Sequence, residues 1–97
     1  MSILGAAIRF DWDSANIDHI ARHKVEPEEA QEAVQDPAAL PFAAHRGPQG
    51  QPRFGVVGAT EAGWVLVVVL EERQGRLRVV TARPATEAER ARYLQEE

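Results

Sequence analysis

Arginines gather where the segment Arg76-Leu-Arg-Val-Val-Thr-Ala-Arg83 runs out at Pro84 and a second pattern, Thr86-Glu-Ala-Glu-Arg-Ala-Arg-Tyr93, begins. A guanidinium stays charged at any working pH, and its planar fork of donors fits phosphate oxygens. A fixed set of arginines with a phenol nearby is one way to grip a nucleic-acid backbone; the same set also decorates many solvated surfaces. Arg53, Arg83 and Arg90 are the candidate phosphate holders, with Arg83 and Arg90 expected to face one groove. His23 and His45 can exchange protons near neutral pH, and Tyr93 can donate a proton or stack on a base. Each has a second reading. His23 ends a predicted helix, where an imidazole offsets the dipole, and His45 sits in a Pro/Gly-rich loop where solvation alone would account for it. Arg83 could bridge to an acid such as Asp11 or Asp13, and Tyr93 could pack its ring on a sheet. His19 and His23, four residues apart, could hold one side of a metal, but the sequence offers no obvious third ligand. No metal or cofactor is expected.

The elements that position these residues follow from pattern. Ile8 to Trp12 alternates apolar and polar residues, which predicts a short strand. Asp13 then caps a helix over Ser14 to His23 with an apolar face of Ile17, Ile20 and Ala21 and a flank of Asn16, His19 and His23. Pro27 suits the first turn of a second helix running to about Gln35 and burying Ala30, Ala33 and Val34; Asp36-Pro37 ends it. Residues 41–52 carry three prolines and two glycines and read as a loop. Three strands follow, Arg53 to Ala59, Trp64 to Glu71 and Arg76 to Arg83, joined by turns short enough to force antiparallel hairpins. The middle one, apolar on both faces, should be central and covered on both sides. Thr86 and Glu89 form a capping box for a last helix, Glu87 to about Gln95. The sum is an α+β domain: a short N-terminal strand, two helices, a three-stranded antiparallel meander and a C-terminal helix.

Composition bounds the rest. The chain has 97 residues, 44% hydrophobic and 27% charged, which suits a single packed domain over 1–97. With no cysteine there is no disulfide framework, thiol nucleophile or thiolate metal site, which suits a reducing cytoplasm. The apolar Met1–Ile8 lacks a basic region and is too short for an export signal, and the longest apolar run, Trp64 to Leu70, is far short of a membrane span. Net charge is −4, yet residues 1–40 hold eight acids and three bases whereas residues 41–97 hold seven acids and eight bases. The C-terminal half is the one that could attract a polyanion. No Gly-rich phosphate loop, HExxH helix or nucleophile elbow is present, which sets aside the hydrolases built on those devices.

The order of these segments resembles a known family. Phe10-Asp-Trp-Asp13, Asn16-Ile-Asp-His-Ile-Ala-Arg-His23 and Val25-Glu-Pro-Glu-Glu-Ala30 look like the first half of the BrnT-type toxins. Arg53-Phe-Gly-Val-Val-Gly58, the apolar strand, Arg78-Val-Val-Thr-Ala-Arg83 and Glu89-Arg-Ala-Arg-Tyr93 look like the second, so the resemblance spans about residues 8 to 95. It implies a RelE-like fold, metal-independent RNA cleavage and neutralisation by a small DNA-binding antitoxin; the alternative is a non-catalytic, protein-binding relative. Three departures stand out. Lys24 replaces a glycine at the left-handed end of the first helix, Pro84 and Glu87 replace bases, and an acidic tail follows Tyr93. Self-association into a homodimer through a sheet edge is compatible with either reading.

Overall fold

The computed structural model describes residues 8–95; the apolar Met1–Ile8 segment lies, Ile8 apart, outside them. Eight elements follow in the order β1 (Phe10–Asp11), α1 (Ser14–Ala21), α2 (Pro27–Val34), β2 (Leu40–Ala43), β3 (Phe54–Ala59), β4 (Val65–Arg73), β5 (Arg76–Pro84) and α3 (Glu87–Gln95). The expected meander β3–β4–β5 is present, but it is the middle of a five-stranded sheet ordered β1-β5-β4-β3-β2. The additions are β1, which pairs parallel to β5 through Phe10 opposite Leu77 and Asp11 opposite Arg78, and β2, antiparallel to β3. The loop expected over residues 41–52 therefore begins only after Ala43. Pro41 obscured the strand, because proline weakens a central strand yet is tolerated on an edge, where no outer neighbour needs its N–H.

β4 is central, as its apolar run requires, but α1 and α2 cover only one of its faces. Leu66, Val68 and Leu70 meet Val79 and Ala82 of β5 and the helical residues Ile20, Ala30 and Ala33 in a core from which solvent is excluded. Gly58 lets α2 approach: a Cβ there would collide with the Ala33 carbonyl oxygen and lie 2.9 Å from its carbon. On the other face Val65 and Val67 are also buried, at 5% and 4% exposure. The β4–β5 hairpin is tighter than the expected Glu72–Gly75 turn. Arg73 still pairs with Arg76, and Gln74 (φ 55°) and Gly75 (φ 78°) make a two-residue turn with both residues left-handed.

α1 is shorter than its sequence suggests and rotated. It ends at Ala21, and Lys24 N–H to Ala21 O and Val25 N–H to Ile20 O close a Schellman turn with Lys24 at φ 63°. The left-handed geometry is thus kept with a lysine in the glycine position. Of the expected apolar face only Ile20 is buried; Ile17 is 37% exposed and Ala21 is exposed. The second buried position is Asn16. Its amide donates to Asp11 O (2.9 Å) and Val79 O (3.1 Å), and its Oδ1 accepts from Asp13 N–H (2.8 Å). Those bonds satisfy the edge of β5 just past the end of β1, which turns Asn16 inward and Ile17 out.

α3 buries no residue. Its start is closed by the expected capping box, Thr86 N–H to Glu89 Oε1 (2.8 Å) and Glu89 N–H to Thr86 Oγ1 (3.2 Å). Polar side chains attach it to the rest: Glu89 to Arg83, and the Tyr93 hydroxyl donating to Asp36 Oδ2.

Candidate nucleic-acid interface

Strand alternation sends the side chains of Val65, Val67, Val69 and Glu71 to the face of β4 opposite Leu66, Val68 and Leu70. Register carries Gly55 and Val57 of β3, with Leu40 and Phe42 of β2 beside them, onto that same face. Arg83 joins from β5 opposite Val67, and Arg78 lies opposite Glu71. This is the face that α1 and α2 leave uncovered. Arginines stand at both ends of it, with an apolar strip between.

At one end Arg53 and Arg73 converge on Glu71, which is 5% exposed: Arg53 Nε lies 3.1 Å from Oε1 and Arg73 Nη2 3.2 Å from Oε2. Burial pushes the Glu71 carboxyl up, but the hydrogen bonds from the two guanidiniums outweigh it and hold the group below the usual carboxylate range. Arg78 stands beside them. It donates to both oxygens of Asp13 at 3.0 Å and lies 3.6 Å from Asp11. The bond to Asp13 lowers that acid and raises Arg78. His19 closes this end, its Nε2 3.1 Å from Thr81 Oγ1.

At the other end a groove of about 470 Å³ is lined by Leu40, Pro41, Phe42, Val57, Val67, Arg83, Glu89 and Arg92. Arg83 and Glu89 meet through two bonds of 2.9 Å. Arg83, with Thr86 N–H, brings the Glu89 carboxyl down to about 2. Glu89, Arg92 and Tyr93 share a helix face at i, i+3 and i+4. The Tyr93 hydroxyl is turned to Asp36, whose carboxylate pushes the phenol up to about 12, with burial adding to the shift. Asp36 also accepts from Ala59 N–H (2.8 Å) and, through Oδ1, from Ala38 N–H (2.9 Å).

The expected residues are therefore distributed. Arg83 and Arg53 lie on one face at opposite ends. Arg90 does not share the Arg83 groove: one position round the helix from Glu89, it lines a separate depression with Gly63, Trp64 and Glu87, and Arg92 takes the place expected for it. His23 is exposed beyond α1, its ring 5.8 Å from that of His19 in an edge-on arrangement. His45 is exposed in the loop after β2. The acid bridging of Asp11 and Asp13 falls to Arg78, while Arg83 pairs with Glu89 inside its own cap. Sequence reasoning passed over Arg73, Arg78, Arg92 and Phe42 as site residues. The period-two placement of Arg76 and Arg78 on β5 and the i, i+3 spacing of Glu89 and Arg92 were the available signals.

The described residues thus form an α+β protein whose open sheet face carries an apolar strip between arginine clusters. A family model described as ribonuclease toxin, BrnT, of type II toxin–antitoxin system matches residues 12–89, and the chain belongs to that family. Membership implies an antitoxin protein as partner. No curated protein matches the chain. No helix among the described residues is long and apolar enough to cross a membrane.

Proposed function

We propose that this protein is an active toxin that cuts RNA without a metal ion and uses the open sheet face to hold the substrate. The arginines on that face carry the reading: Arg53, Arg73 and Arg78 at one end, Arg83 and Arg92 at the other, with half-buried apolar side chains between them. In such a cleavage the 2′-oxygen attacks phosphorus, the bond to the 5′-oxygen breaks, and a cyclic phosphate remains. The reaction needs a base for the 2′-hydroxyl, cations for the charge on the phosphoryl oxygens and an acid for the leaving oxygen. Arg53, Arg83 and, in the place expected for Arg90, Arg92 are proposed as phosphate holders. His23 and His45 are the proton acceptors, and Tyr93, protonated throughout the neutral range and released from Asp36, is the donor. A small DNA-binding antitoxin would neutralise the protein in the cytoplasm.

A second reading has its own observation. Arg53 and Arg83, two of the three proposed phosphate holders, are each paired with a carboxylate, Glu71 and Glu89, which is what a relative that kept the fold for protein binding would retain. Purified protein incubated with single-stranded RNA in excess chelator separates the two. Cleavage leaving cyclic-phosphate ends supports the enzyme; intact RNA with folded protein supports the binding module.

A further inference from the structure

Phe42 is a large apolar side chain left 37% exposed on an edge strand, and its position is built rather than incidental. It pairs with Gly55, and a Cβ at Gly55 would overlap the ring, colliding with Cζ and lying 2.5 Å from Cε1. The missing side chain of a buried glycine is the seat of the ring. Seated there, the ring lines the groove that holds Val57, Val67, Arg83 and Arg92. Arg83 is engaged by Glu89, whereas Arg92 forms no ion pair among the described residues. The groove thus offers an immobilised aromatic surface, an apolar floor and a guanidinium that no carboxylate among the described residues engages.

We infer that Phe42 is the stacking platform for an unpaired nucleobase of the RNA, with the phosphate beside that base held by Arg92. The inference rests on the ribonuclease reading and sharpens it to a substrate class, single-stranded rather than duplex RNA. A paired base presents only its edge, so it cannot lie flat on a ring, whereas bases of single strands stack on aromatic side chains with little regard to sequence. Charge favours this occupant as well. Among its described lining residues two guanidiniums stand against one carboxylate, a balance suited to a phosphate.

The test is equilibrium binding, by fluorescence anisotropy, of an end-labelled single-stranded 2′-O-methyl oligoribonucleotide and of its duplex, alongside cleavage of unmodified RNA by the wild type. Phe42→Leu keeps an apolar contact with Gly55 without the aromatic face; Phe42→Trp keeps the face. Loss of single-strand affinity of roughly tenfold in Phe42→Leu, with retention in Phe42→Trp and an unchanged thermal midpoint, is the expected result. Wild-type affinity in Phe42→Leu, from protein that binds and cleaves RNA, overturns the inference alone and leaves the ring to a protein partner. A wild type that neither binds nor cleaves overturns the ribonuclease reading with it.

Discussion

Arg83 and Glu89 hold each other through two hydrogen bonds of 2.9 Å, and the same carboxylate accepts Thr86 N–H at 2.8 Å. One side chain thus caps a helix and fixes the guanidinium at the end of the preceding strand. Because α3 buries no residue, this junction and the Tyr93–Asp36 bond govern how the helix sits beside the groove.

The ion pair makes stability pH-dependent with a defined sign. The Glu89 carboxyl titrates at about 2 in the folded protein against an ordinary 4.5, so its contribution is full above pH 4.5 and is lost as pH falls through about 2. Asp36 and Glu71, also lowered, act in the same direction. With Arg83 39% exposed, solvent screening limits the pair to about 1 kcal/mol. Urea unfolding between pH 6 and pH 2.5, read as roughly the acid limb of the stability curve, should be flatter for Glu89→Gln than for wild type.

Tyr93 gives the opposite sign. Its hydroxyl is pushed up to about 12 from an ordinary 10, so the stabilisation is complete below pH 10 and disappears as pH rises through about 12. It is the only tyrosine, so ultraviolet titration reads it directly. The midpoint should be near 12 in the folded protein and return toward 10 in Asp36→Asn. Tyr93→Phe should cost about 1 kcal/mol, since Asp36 keeps its two backbone donors.

Much of this arrangement was legible in the sequence, and the rest was hidden for definite reasons. Thr86 and Glu89 announced the start of α3, and the apolar run of β4 announced its central place. The pairing of Glu89 with Arg83 was not visible, because a capping glutamate still has lone pairs free and spacing alone does not say which cation takes them. Ile17 misled because hydrophobic periodicity has no term for a polar residue such as Asn16 that turns inward to satisfy an open strand edge. β2 was masked by Pro41, and with it the place of Phe42 in the groove.

Lys24 holds φ 63°, a conformation in which a Cβ is disfavoured. Lys24→Gly should therefore stabilise the protein by up to about 1 kcal/mol, seen as a raised thermal midpoint. A lowered midpoint would mean that the lysine side chain makes a compensating contact.

Gly58 predicts a change in the other direction. Its missing Cβ is where α2 approaches β3, against the backbone of Ala33, which cannot move aside as a flexible side chain would. Gly58→Ala should cost about 1–3 kcal/mol in chemical denaturation. A neutral result would show that α2 can shift on the sheet.

The central claim is that the arginine face serves RNA cleavage, and Arg83 tests it most directly. Wild type and Arg83→Ala are expressed under control in a bacterial host, with growth and bulk RNA integrity followed together and thermal transitions measured on the purified proteins. Growth arrest with RNA cleavage is expected for wild type, and normal growth with intact RNA for an Arg83→Ala protein that still unfolds cooperatively. Growth arrest and RNA cleavage undiminished in Arg83→Ala, or intact RNA with folded and abundant wild type, would contradict the claim.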